Sequence, residues 1–156
     1  MPVFNIGFTA NISSSQVLKQ VGSLFPGEIA VPDKVVKIME KQNLPITSAI
    51  KGYFLIDTGA SISGIKKDIV QTLHLPVIGS TYLNTPSDTK KATSIVPAKF
   101  ILLNPQNQPI YVINFERVIC CERYLGKDII GIIGRDVLEK SVFIYNGING
   151  NITLAF

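Results

Sequence analysis

The sequence is poor in side chains that hold metals or build disulfides, with one histidine and two cysteines in 156 residues. Cys120 and Cys121 are neighbours, and on a strand they point to opposite faces, which does not suit a disulfide between them. No Cys-x-x-Cys pair exists, so a zinc site of that type is excluded. Two strand residues, one buried and one less so, are the plain expectation, in keeping with a reducing compartment. Long apolar runs are also missing. None approaches the roughly 18 residues that span a bilayer, and "MPVFNIGFTANISSS" lacks the basic region before an apolar stretch that marks a signal peptide. A soluble, cytoplasmic protein with no membrane partner is expected. Clustered positive charge is missing too. The net charge of +4 comes from Lys and Arg scattered in ones and twos, whereas nucleic-acid binders gather them with aromatics on one face. Nucleic acid is not an expected partner.

What is present suits one domain, residues 1–156, with a single core: 46% of the chain is hydrophobic, too much for disorder. "PVFNIGFTA" (2–10) reads as a strand. "SSSQVLKQVGSLF" opens a short helix capped by Ser14 or Ser15, with Val17, Leu18 and Val21 on one face and Gly22 and Pro26 limiting it. A second helix is expected over 32–45, with Asp33 as cap and Val35, Val36 and Met39 on one face. "IKGYFLI" (50–56) reads as a continuous apolar strand buried on both sides. Ile65, Ile69 and Leu73 fall at helical spacing before Pro76. Residues 77–103 read as two strands around a polar tip, 109–121 as another strand, and 128–140 as a buried strand, two glycines and a short helix. A closing hairpin turns at Asn146-Gly147 and Asn149-Gly150. The sum is a mainly β chain with a few short helices.

One feature carries chemistry. The apolar strand ends in Asp57-Thr58-Gly59, a carboxylate on a tight turn, where glycine permits the turn and close approach of another chain. "FLIDTGAS" with a downstream "IIGRDVL" resembles the retroviral-type aspartic proteases, the retropepsins. "GRDVLEKSVFIYNGINGNITLAF" is similar to the small bacterial aspartyl proteases of that superfamily. The resemblance covers residues 50–156 well and 1–49, a strand and helix portion, less so. It implies a closed acid-protease barrel, one domain per protomer, and a catalytic Asp57. The active-site turn would be Thr58, Gly59, Ala60 and Ser61. Thr58 would brace the turn across a subunit interface, and Gly59 would meet substrate through its backbone. Gly134, Arg135 and Asp136 would form a scaffold and interface element. Residues Thr85, Pro86, Ser87, Asp88 and Thr89 would form the tip of a flap, here without glycine.

Such chemistry needs two carboxylates about 3 Å apart sharing one proton, one acting as base on a water and the other as acid toward the scissile carbonyl. No cofactor is needed. The chain has one Asp-Thr-Gly, so the partner of Asp57 should be Asp57 of a second copy, in a two-fold homodimer acting on a peptide or protein. Ala60 cannot donate a side-chain hydrogen bond to the carboxylates, so the pH optimum should be only mildly acidic. Ser61 stands where many retropepsins carry a second aspartate, so the resemblance does not supply a partner for Arg135. From the residues alone Arg135 could be a surface ion-pair residue and Asp136 a helix cap. His74 reads as a surface residue, and the Ser61-x-Ser63-Gly64 stretch is a poor nucleophile elbow. Two rivals stand beside the free protease: a catalytically silent peptide-binding dimer, and a processing protease of a viral or mobile-element polyprotein.

Overall fold

The computed structural model describes residues 3–7, 13–83, 91–121 and 125–156. Ten strands and four helices occur among them: β1 (Val3–Gly7), α1 (Ser14–Val21), β2 (Leu24–Ala30), α2 (Asp33–Lys41), β3 (Ile50–Ile56), β4 (Gly64–Lys66), α3 (Lys67–Thr72), β5 (Gly79–Leu83), β6 (Lys91–Leu103), β7 (Pro109–Cys121), β8 (Ile129–Ile133), α4 (Arg135–Leu138), β9 (Val142–Asn146) and β10 (Asn151–Ala155).

Six strands run in the order β2-β3-β8-β4-β7-β6, and β6 pairs back onto β2. The mainly β, closed-barrel architecture expected from the sequence is the one the chain adopts. Closure leaves β2 and β6 without the open edges they would otherwise carry. β5 continues the sheet beyond β6, and β1, β10 and β9 form a separate antiparallel sheet. Inward positions alternate with outward ones, as the strand period demands. Phe25, Ile29, Phe54, Phe100, Leu102 and Ile133 are fully buried. Phe54 stacks on Phe100 at 4.6 Å between centroids, and Phe100 meets Phe115 edge-on at 4.7 Å. The ring of Phe54 crosses β2 at Gly27, where a Cβ would lie 2.3 Å from it, so glycine makes room for this central aromatic.

Several elements differ from their sequence-based expectation. β2 has no counterpart among the expected elements, where Pro26 only limits the first helix. It is a strand with strict burial alternation, and Pro26 lies outside the β6 ladder, which begins at Gly27↔Leu102, so its missing N–H breaks no bond there. β3 is not apolar on both faces: Lys51 is exposed and Tyr53 is 41% exposed. Ile65 belongs to β4, not to a helix. It is buried because β4 pairs with both β7 and β8, and α3 starts only at Lys67. The cap of α1 is Ser13, not Ser14 or Ser15. Its hydroxyl accepts from the Gln16 N–H while Gln16 reaches back, a reciprocal capping box. Ser15 Oγ instead donates to the Gly147 carbonyl, and Val21 is 43% exposed. α2 is shorter than expected. Pro32 holds its cap position, and Asp33, inside the first turn, takes Lys99 Nζ at 2.9 Å. The expected flap tip, residues 85–89, lies outside the described residues, as do 2 and 8–10 of the opening strand. Among the described residues no helix is long and apolar enough to cross a membrane.

Candidate active site

β8 runs between β3 and β4, parallel to the first and antiparallel to the second. The segment leaving β3 and the segment leaving β8 therefore emerge side by side. Backbone bonds fix this crossing: the Asp57 N–H donates to the Ile133 carbonyl at 3.0 Å, and the Ile56 N–H to the Ser23 carbonyl at 2.8 Å. The apolar run thus stops where the barrel stops, and Asp57 is the first residue past its rim.

The Asp57 turn is self-supporting. Gly59 N–H donates to Asp57 Oδ1 at 2.8 Å, and Ala60 N–H to the Asp57 carbonyl at 3.2 Å. Asp57 is half-buried, while Thr58, Gly59 and Ser61 are exposed. Its Oδ2 has no hydrogen-bond partner among the described residues. The side chains of Thr58 and Ser61 likewise make no hydrogen bond there. Carboxylate oxygens at an open rim with that much unused capacity can hold water or a second acid group.

Arg135 clamps the turn from behind. Its Nη1 donates to the Thr58 carbonyl at 2.9 Å and the Gly59 carbonyl at 3.2 Å, and its N–H to the Ala60 carbonyl at 2.9 Å. Among the described residues it forms no ion pair with a carboxylate. The main chain of the Asp57 turn is what it holds, so Ser61 costs it no partner. Gly134 is required by proximity, since a Cβ there would stand 2.8 Å from the Ile62 carbonyl carbon and 3.0 Å from the Ser63 nitrogen.

Below the clamp lies a polar knot that sequence reasoning did not find. Ser63 is fully buried. Its hydroxyl donates to Asp136 Oδ1 at 2.7 Å and accepts from the Gly134 N–H at 3.0 Å. Its own N–H reaches both oxygens of Asp136, at 3.1 and 3.0 Å, and the Val137 N–H adds a bond at 3.1 Å. Asp136 is not the cap of α4; that position is Gly134. Its carboxylate ties two chain segments 73 residues apart. The signal in the sequence was a hydroxyl flanked by Ile62, Gly64 and Ile65, where a buried polar group must be paired.

Among the described residues no group of three or more His, Cys, Asp and Glu could hold a metal ion. His74 is exposed, with φ of 51°. Neither cysteine forms a disulfide among the described residues. Cys120 points into the core, and burial, reinforced by the adjacent Cys120 thiol, pushes the Cys121 thiol up to about 11.

No protein-family model matches the chain, and no curated protein does. Among solved structures the chain is similar to the crystal structure of a retropepsin-like aspartic protease from Rickettsia conorii. The identity is 16%, the TM-score 0.48, and the match covers 99% of this chain and 93% of that one.

Proposed function

We propose that the protein is an aspartic endopeptidase whose active site forms when two copies place their Asp57 carboxylates together on a two-fold axis. The observation that carries this reading is the Asp57 turn: a carboxylate at the barrel rim, held by Gly59 N–H through one oxygen, its second oxygen unengaged, its backbone clamped by Arg135. A rigid mount with a free oxygen is what a shared-proton pair demands, because catalysis depends on geometry set before substrate arrives.

In this reading one carboxylate, ionised, takes a proton from a water between the pair. The protonated carboxyl hydrogen-bonds the scissile carbonyl, and hydroxide adds to its carbon. The proton then passes to the leaving amine as the carbon–nitrogen bond breaks. Substrate lies extended along the rim, with β5 and β6 flanking it. A monomer holds a single carboxylate and is inert.

Digestion of a complex peptide mixture by wild type and by Asp57→Asn, across a pH series, tests the chemistry. Cleavage by wild type that vanishes in the variant is expected. Peptides left intact by wild type at every pH, or cut equally by both, would overturn it. Sedimentation across a concentration series tests the assembly, with activity expected to follow the dimer fraction.

A further inference from the structure

A cavity of about 290 Å³ opens beside the Asp57 loop, walled by Ile62, Ile95, Val118 and Ile119, with Thr81 of β5 and Arg117 of β7 also lining it. It is at the small end of the roughly 300–1,000 Å³ typical of ligand pockets, room for one side chain. The position of Arg117 has a structural cause. In the β6–β7 ladder Val96 faces Val118 and Ala98 faces Phe115. Pro97 alone therefore opposes both Glu116 and Arg117. This is a β-bulge, a device that re-aims a side chain, and it sits where proline offers no N–H to the ladder. The two side chains opposite Pro97 divide: Glu116 lies toward α2, 3.8 Å from Lys34 Nζ, and Arg117 lines the cavity.

Arg117 has no hydrogen-bond or ion-pair partner among the described residues. Asp136, the acid on the same wall, has its oxygens committed to Ser63 and the Val137 N–H. A guanidinium with five donors, exposed and unpaired among the described residues, thus stands at a cavity whose other lining is four apolar residues, Thr81 and the committed Asp136, next to the candidate catalytic turn.

We infer that this cavity is a substrate subsite selective for an acidic side chain, glutamate above all, with Arg117 as the residue that selects it. The aliphatic stem packs on the isoleucines, and the carboxylate meets the guanidinium in a charge-assisted pair. The inference rests on the peptide-cleaving reading of the neighbouring turn. In a two-fold dimer the cavity occurs twice, so the acidic preference falls at one position on each side of the scissile bond.

The test compares peptides carrying Glu, Gln or Lys at each position around a cleaved bond, scored by kcat/KM with wild type and by binding with Asp57→Asn. On wild type, Glu should exceed Gln by about tenfold at one position on each side, as a charged partner exceeds a neutral one. Arg117→Gln should erase the ratio, Arg117→Glu should turn it toward Lys, and Arg117→Lys should keep its sign. Cleavage with no Glu preference, or a preference that survives Arg117→Gln, overturns the inference and leaves the protease reading standing. Binding that favours Glu through Arg117 with no cleavage by wild type keeps the inference and overturns the catalytic reading. Absence of both cleavage and Glu-selective binding overturns the two together.

Discussion

At the scale of single residues, the candidate site divides into the carboxylate proposed to do chemistry, Asp57, and groups that hold its turn. Arg135 is exposed, so its hydrogen bonds to the Thr58 and Gly59 carbonyls should contribute only about 1 kcal/mol to folding. Its effect on turnover should be larger, because a small displacement of a reacting group can cost about a hundredfold. Arg135→Ala is expected to lower kcat at least tenfold while shifting the unfolding midpoint little, as denaturant titration alongside kinetics would show. Asp136 should behave oppositely. Asp136→Ala strands the buried Ser63 hydroxyl and N–H, and a loss of about 1–3 kcal/mol in unfolding free energy is expected. Cys121 supplies a pH dependence. Its thiol ionises near the ordinary 9.0 in the unfolded chain and near 11 when folded. The folded state therefore holds its proton longer, and stability should be level below pH 9 and decline from there toward 11. Subtracting the pH profile of Cys121→Ala from that of wild type isolates this term, and identical profiles would contradict it. The placement of Asp57 and Arg135 was legible in the sequence because their motifs fall at the ends of apolar strands. Ser63 was not, because its meaning lies in a contact with Asp136 across 73 residues, which no local pattern encodes.

At the scale of elements, the crossing of β3, β8 and β4 brings the two motif-bearing segments together, and Gly134 is its tightest point. Gly134→Ala would push a methyl against the backbone at Ile62 and Ser63. Backbone yields poorly, so a destabilisation of about 1–3 kcal/mol is expected, with activity falling further than stability because the displaced segment carries Asp57. Thermal melts paired with peptide cleavage would check both. Strands with clean signals were readable: β3, β7, β8 and the hairpin of β9 and β10. β2 was not, since Pro26 and Gly27 argue locally against a strand. Tertiary context overrode them by placing Pro26 outside one ladder and Gly27 beneath Phe54. β4 was hidden for the opposite reason. Three residues are too few to show a period, and Ile65 happens to lie at helical spacing from Ile69, so a strand-to-helix junction imitated one helix.

At the scale of the whole molecule, six strands form a closed ring and the acidic turn stands on its rim. Phe54 and Phe100, stacked at 4.6 Å, fill the interior three residues below Asp57. Phe54→Ala should cost about 3–5 kcal/mol, measured by urea unfolding, and should disturb the turn through the strand that carries both. The ring also gives a role to one strand of the first third of the chain. β2 pairs with β3 over Leu24–Ile29 and with β6 over Gly27–Ala30, so it is the stave between the barrel's two halves. An activation scheme in which proteolysis sheds the leading fifty residues as a propeptide is therefore incompatible with this fold. Such a cut would expose two hydrogen-bonding edges and the Phe25 and Ile29 sockets at once, and the remnant should precipitate, not mature.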